Sequence, residues 1–285
     1  MNFGGIEAEC ETLEKAAFVV VPVPYDLTTT YQGGARKGPA AIIEASCNME
    51  LYDEELNREV YKSGIHTLPP LEAVAAGPEG MLERVEKSVS GVLKLGKTPV
   101  MLGGEHSITL GAIRAARKRY PKLSVLHLDA HADMRESYQG TPFSHACIGR
   151  RMIELCPVVQ AGIRSMSVEE AAFIRKKNVP VLSAAAIRKD RTWVSKVLRH
   201  LSKDVYISVD LDALDPSVMP ATGTPEPGGL TWHDVLDLIR DVCRKRNIVG
   251  FDIVELAPIP GMVAPDFLAA RLAYRMMGYV SNKSR

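Results

Sequence analysis

Short apolar runs alternate with amphipathic stretches along the whole chain. The runs Ala17–Val23, Thr98–Leu102, Leu123–Leu128, Val158–Ala161, Val179–Leu182, Val205–Val209 and Ile248–Val254 are rich in Val, Ile and Leu. Several are apolar at every position, which predicts strands covered on both faces, as in a parallel sheet. Helical periodicity predicts helices over Pro39–Leu51, Gly80–Leu95, Ile108–Tyr120, His145–Leu155, Ser167–Lys177, Trp193–Ser202, Thr231–Arg244 and Asp266–Tyr279. Start signals support some of these, such as Ser167 before Glu169 and Glu170, and Thr231 before Asp234. Strand–helix alternation throughout predicts an α/β fold with helices on both faces of the sheet. No repeat or Ser/Gly linker divides the chain, so residues 1–285 read as a single domain.

Composition narrows the function. The 285 residues are 46% hydrophobic and 24% charged, with a formal net charge of +1. Such a balance gives no global field toward nucleic acid or an anionic membrane. No basic segment followed by an apolar stretch opens the chain, and no apolar run is long enough to span a bilayer. Five cysteines, at positions 10, 47, 147, 156 and 243, include no CxxC pair. That pattern fits reduced thiols and a cytoplasmic location better than a disulfide framework.

Polar residues then interrupt the apolar pattern at three strand ends. The strand ending Leu126-His127-Leu128 runs into Asp129-Ala130-His131-Ala132-Asp133, and the strand Ile207-Ser208-Val209 into Asp210-Leu211-Asp212. In extended backbone, residues two apart share a side. This parity predicts that Asp129, His131 and Asp133 project together, as do Asp210 and Asp212. The third segment is Val100-Met101-Leu102-Gly103-Gly104-Glu105-His106-Ser107. Crowded carboxylates at a core edge need a compensating cation. Four aspartates balance two divalent ions, and a ligand set of oxygens and imidazoles without thiolate suits Mn²⁺ or a similarly hard ion. His127 shares the parity of Asp129 but reads as a buried strand residue. Asp215, before Pro216, reads as a turn acid.

These motifs resemble the ureohydrolases, which include arginase and agmatinase. Gly103–Ser107, Asp129–Asp133 and Ser208–Pro216 are similar to the family's three signatures. Gly33–Pro39, Pro220–Thr231 and Asp252–Glu255 extend the likeness over almost the entire chain, Pro220–Thr231 most of all toward the agmatinase branch. The resemblance implies a three-layer α/β/α sandwich with a mainly parallel, about eight-stranded sheet, and two Mn²⁺ per chain. It implies that His106 and Asp133 hold one ion, His131 and Asp212 the other, and that Asp129 and Asp210 bridge. It also implies a guanidinium-orienting role for Glu255, proton transfer by His145 with Asp133, and a trimer or hexamer. Without the resemblance, Glu255 would read as a solvated strand-end acid and His145 as a loop histidine.

The implied reaction is hydrolysis of a small guanidino substrate to urea and an amine, with agmatine expected before arginine or guanidinobutyrate. Arginase-like members carry an asparagine where this chain has Arg135. Glu136 could meet a substrate amine and Tyr138 could pack on its aliphatic chain, whereas Arg135 equally suits a carboxylate. Outside the family, the alternatives are a single-zinc deacetylase-like enzyme and a metal-binding relative without activity. Neither nucleic acid nor membrane is an expected partner.

Overall fold

The computed structural model describes residues 1–7 and 12–282; Cys10 lies outside them. Eight strands form one sheet: β1 (Phe18–Val23), β4 (Ile65–Thr67), β5 (Thr98–Gly103), β6 (Leu123–Leu128), β7 (Val158–Ile163), β8 (Val181–Ser183), β9 (Asp204–Asp210) and β10 (Asn247–Val254). Their order is β4-β1-β5-β10-β9-β6-β7-β8, and every pairing is parallel. The sheet is therefore parallel throughout rather than mainly so. A separate two-stranded ribbon, β2 (Tyr52–Asp53) with β3 (Arg58–Glu59), is antiparallel.

Alternation along each strand sends side chains to two separate cores. In β1, Phe18 and Val20 join one core, while Val19, Val21 and Val23 join the other. Helices α1 (Gly38–Ser46), α7 (Trp193–His200), α8 (Trp232–Lys245) and α9 (Ala264–Ser281) cover the first face. Helices α2 (Pro78–Lys94), α3 (Thr109–Arg119) and α4 (Ile148–Leu155) cover the second. Two apolar faces explain why these strands lack the polar positions of a half-exposed sheet. Truncating a fully buried strand residue such as Leu126 to Ala costs about 2–5 kcal/mol.

Several boundaries differ from the sequence expectation. The run Val179–Leu182 yields only β8, a half-buried edge strand of three residues. Helix α1 stops at Ser46, not Leu51, and the chain turns so that Met49 reaches the core. The segment from His145 begins as a tight 3-10 turn, His145–Cys147, before α4. Helices α5 (Val168–Lys177) and α8 start as expected: Ser167 with Glu170, and Thr231 with Asp234, form reciprocal capping boxes. Helix α6 (Ala184–Lys189) was not anticipated. No helix among the described residues is long and apolar enough to cross a membrane.

The chain lays down β1, β5, β6, β7 and β8, then returns with β9 and β10 to fill the space between β5 and β6. The four central strands β5, β10, β9 and β6 thus end side by side. Ligands collect at such carboxyl edges.

Candidate metal centre

Gly103 ends β5, Leu128 ends β6, Asp210 ends β9 and Val254 ends β10. The acidic and imidazole groups leave the sheet at these four points. His106 Nδ1 lies 3.1 Å from Asp129 Oδ2, 3.1 Å from Asp210 Oδ2 and 3.8 Å from Asp133 Oδ2. His131 Nδ1 lies 2.9 Å from Asp212 Oδ2 and 3.6 Å from Asp129 Oδ1. Asp129 thus stands between the two histidines, as a shared ligand must.

The route by which these groups meet differs from the parity argument. Asp133 has a left-handed φ of 53°, and Asp212 lies inside a 3-10 turn, Leu211–Ala213, capped by Asp210. Neither segment continues as extended strand. Irregular backbone, pinned by hydrogen bonds, aims the carboxylates instead. Asp129 Oδ1 accepts from His131 N at 2.6 Å, Asp212 Oδ1 from Ala130 N at 3.0 Å, and Asp210 Oδ1 from Asp212 N at 2.9 Å.

The protonation balance exposes the crowding. Burial, then the charges of Asp129 and Asp212, drive Asp133 and Asp210 well above the usual carboxylate range, with Asp129 foremost at Asp133 and Asp212 foremost at Asp210. Burial also opposes charge on Asp129, but hydrogen bonds from His106, His127 and His131 outweigh it and hold that carboxyl low. In His131 burial is outweighed by Asp129 and Asp212, which push the ring up to about 12. Negative charge is so concentrated that imidazoles are forced toward imidazolium. A divalent cation supplies that positive charge directly. The buried His106 Nδ1 makes no hydrogen bond, which suits a lone pair kept for a metal. His106, Asp129, Asp133 and Asp129, His131, Asp212 fall within two groups spaced to hold an ion.

Above the cluster opens a cavity of about 360 Å³. His106, Asp133, Asp210, Asp212 and Glu255 line its buried end, and Tyr31 and Met166, 81% and 42% exposed, line its mouth.

Residues 16–278 match the arginase family. The chain belongs to this family. It is 42% identical over 266 residues to an N(1)-aminopropylagmatine ureohydrolase of Thermus thermophilus, covering 93% of this chain and 90% of that protein. It is 39% identical over 278 residues to an N(1)-aminopropylagmatine ureohydrolase of a Synechocystis species, covering 95% and 91%. The crystal structure of agmatine ureohydrolase of Thermoplasma volcanium superposes with a TM-score of 0.88 at 38% identity, covering 95% of this chain and 92% of that one.

The other residues singled out in this arginase-family sequence fall into two groups. Glu255, in a left-handed conformation (φ 66°), accepts from His106 N at 2.6 Å. Burial, then the charges of Asp210 and Glu105, raise its carboxyl well above the ordinary range. His145 lines the cavity with Tyr138, whose ring meets it edge-on at 6.2 Å. Arg135 also lines the cavity, stacked over Tyr138 at 4.8 Å and 4.0 Å from Glu170. Glu136 does not line it: the exposed carboxylate pairs with Arg150 and Arg151 on the outer surface. Asp215 is a turn acid, accepting from the amides of Ser217, Gly228 and Gly229.

Several supporting residues escaped the sequence reading. His127 is more than a strand residue: Gln160 Nε2 stands 3.0 Å from its Nδ1, and its Nε2 lies 2.8 Å from Asp129 Oδ2. With Nδ1 accepting, Nε2–H donates and fixes Asp129. Glu105 accepts from the Thr28 hydroxyl at 2.7 Å and the Thr28 amide at 2.6 Å, and Thr28 in turn touches His145. Glu105 sits inside a motif already noted, and Thr28 inside the long loop after β1. Gly104 permits this arrangement, since a Cβ there would stand 1.9 Å from Tyr25 O.

Proposed function

We propose that this arginase-family chain is a two-manganese ureohydrolase for alkyl guanidines with an amine at the far end, N1-aminopropylagmatine before agmatine. The observation that carries the reading is the convergence of His106, Asp129, His131, Asp133, Asp210 and Asp212 beneath a cavity whose wall includes Glu255. The donor set fits manganese: carboxylate oxygens and imidazole nitrogens, no thiolate, and a buried His106 nitrogen without a hydrogen bond. His106 and Asp133 would hold one ion, His131 and Asp212 the other, with Asp129 and Asp210 shared. Bound manganese would supply the charge that neutralises the carboxylates and makes water acidic enough to attack at neutral pH.

The chain's own residues do the rest. Glu255 orients the planar guanidinium through charge-assisted hydrogen bonds. His145 has Nδ1 turned to Thr28 and Ser144, each at 3.3 Å, which leaves Nε2 for the cavity. A proton held there, relayed with Asp133, can pass to the departing amine. Water adds to the guanidinium carbon, the bond from carbon to the alkyl nitrogen breaks, and that nitrogen leaves as an ammonium with urea as the second product.

The amine-tail preference rests on the names of the similar proteins and on Tyr138, Tyr31 and Met166 in the cavity wall, against which an alkyl chain can pack. Arg135 is the group that argues for a carboxylate tail, but Glu170 and Tyr138 already engage it. The test is urea release, with kcat/KM measured for N1-aminopropylagmatine, agmatine, arginine and 4-guanidinobutyrate at equal Mn²⁺ loading. The expected order places the two amine-tailed compounds first. A higher value for arginine or guanidinobutyrate would overturn the tail assignment. Urea from none of them, with two ions bound per chain, would overturn the ureohydrolase reading.

A further inference from the structure

Asp252 is a carboxylate the reaction above does not use. It sits within β10, 0% exposed, beneath the metal cluster. Its Oδ1 accepts from the Ser208 hydroxyl at 2.7 Å, and Ser208 Oγ lies 2.9 Å from His106 Nε2. Ser208 is equally buried, and His106 is 1% exposed. The two strands are in register here, with Asp252 directly opposite Ser208.

The direction of the chain of hydrogen bonds follows from proton counting. A serine hydroxyl has one proton and can donate once. That proton is spent on Asp252 Oδ1, 2.7 Å away, where the carboxylate oxygen accepts it. Ser208 therefore donates to Asp252 and accepts from His106. That places the His106 proton on Nε2 and leaves the lone pair on Nδ1, the nitrogen that faces Asp129 and Asp210 at 3.1 Å.

We propose that Asp252 and Ser208 are positioning residues that lock His106 in the metal-binding tautomer and orientation, a buried carboxylate acting through a serine on a ligand it does not touch. Metal-bound histidines generally donate their second ring N–H to a fixed acceptor, and the acceptor sets both tautomer and basicity. Here the acceptor is a hydroxyl, made a better acceptor by the anion behind it. A purely structural role for Ser208 would require only a small side chain between strands. The lock requires an oxygen.

The inference rests on the two-metal reading, and the experiment separates the two. Metal-free wild type, Ser208→Ala and Ser208→Thr are compared by imidazole ¹⁵N NMR, and their manganese affinities by competition with a chelator. In metal-free wild type, at a pH above the loss of one ring proton from the His106 imidazolium, the remaining proton sits on Nε2; in Ser208→Ala that preference is lost, and Ser208→Thr restores it. Ser208→Ala binds one of the two ions roughly 10–100-fold more weakly, keeps the other, and stays folded when metal-free. Ser208→Thr stays close to wild type. Asp252→Asn weakens manganese binding in the wild-type background and far less in Ser208→Ala. A neutral His106 ring with its one proton on Nδ1 in wild type, or unchanged affinity in Ser208→Ala, would overturn the lock. Equal losses from Asp252→Asn in both backgrounds would remove Asp252 from it. A wild type that takes up no manganese would instead sink the two-metal reading, while the NMR comparison would still decide the tautomer.

Discussion

The backbone amide of His145 donates to the hydroxyl of Thr28 at 3.0 Å, across 117 residues of sequence. The Thr28 hydroxyl in turn donates a hydrogen bond to Glu105, next to His106. The loop histidine is thereby tied to the turn that carries His106 through one hydroxyl. We expect Thr28→Val to lower kcat by roughly tenfold, part of the 10²–10⁴-fold that a positioned acid or base contributes. Manganese content should stay at the wild-type level, and Thr28→Ser should recover most of the rate. Loss of metal from Thr28→Val would show that the threonine supports the cluster rather than His145.

The asymmetry of the aspartates yields a second expectation. Asp129 faces both histidines, whereas Asp212 faces His131. Asp129→Asn should leave less than one tightly held ion per chain, and Asp212→Asn close to one. Both should cut turnover on the order of 10³-fold, the loss of several kcal/mol of charge stabilisation. Elemental analysis after gel filtration reads this out. Equal metal content in the two variants would contradict the shared role of Asp129.

His145 gives a pH dependence with a definite sign. Burial, opposed in part by the hydrogen bond with Thr28, lowers its ring from 6.5 to about 4. Between those values the unfolded chain binds a proton that the folded chain does not. Stability therefore falls as pH drops from about 6.5 to about 4, and this contribution is intact above that window. Denaturant titrations of the metal-free protein at pH 7 and pH 5 should show a smaller loss in His145→Gln than in wild type, by about 1–2 kcal/mol. Identical losses would mean that His145 titrates normally.

Arg135 tests the nature of the substrate tail. Its guanidinium lies in the cavity wall, over Tyr138. A cation there repels a cationic tail and attracts an anionic one. Arg135→Gln should lower KM for the amine-tailed substrates severalfold, on the order of a screened charge pair, and leave kcat nearly unchanged. Turnover of 4-guanidinobutyrate should fall. A raised KM for agmatine would show that the arginine shapes the loop rather than the field.

Much of this arrangement can be read from residue order, and the limits have physical causes. Strands β1, β5, β6, β9 and β10 announce themselves because both faces are covered and most positions are apolar, with only isolated polar residues such as Ser208 and Asp252 inside them. The edge strand β4, Ile65-His66-Thr67, has only three residues and a polar centre, so no periodicity marks it. The six candidate ligand side chains are legible as types and spacing. Their convergence is not, because Asp133 and Asp212 reach the cluster through a left-handed residue and a 3-10 turn that parity cannot anticipate. Partners such as Thr28 for His145 and Gln160 for His127 are distant in sequence and chemically ordinary. Only the folded chain pairs them. Glu136 shows the converse: an acid at a plausible place in the loop, turned outward by Arg150 and Arg151.

The sheet order also governs when the site can come into being during synthesis. Strand β10 lies between β5 and β9, yet its residues leave the ribosome after all the other strands. Until Val254 has emerged, β5 and β9 have no common neighbour, and His106 lacks the strand that carries Asp252 and leads into Glu255. A nascent chain can close the outer parts of the sheet early, but its middle is joined last and by contacts of long sequence separation, which are slow to form. The Asp129, His131 and Asp212 half of the cluster needs only the β6–β9 pairing, whereas His106 joins it through the strand made last.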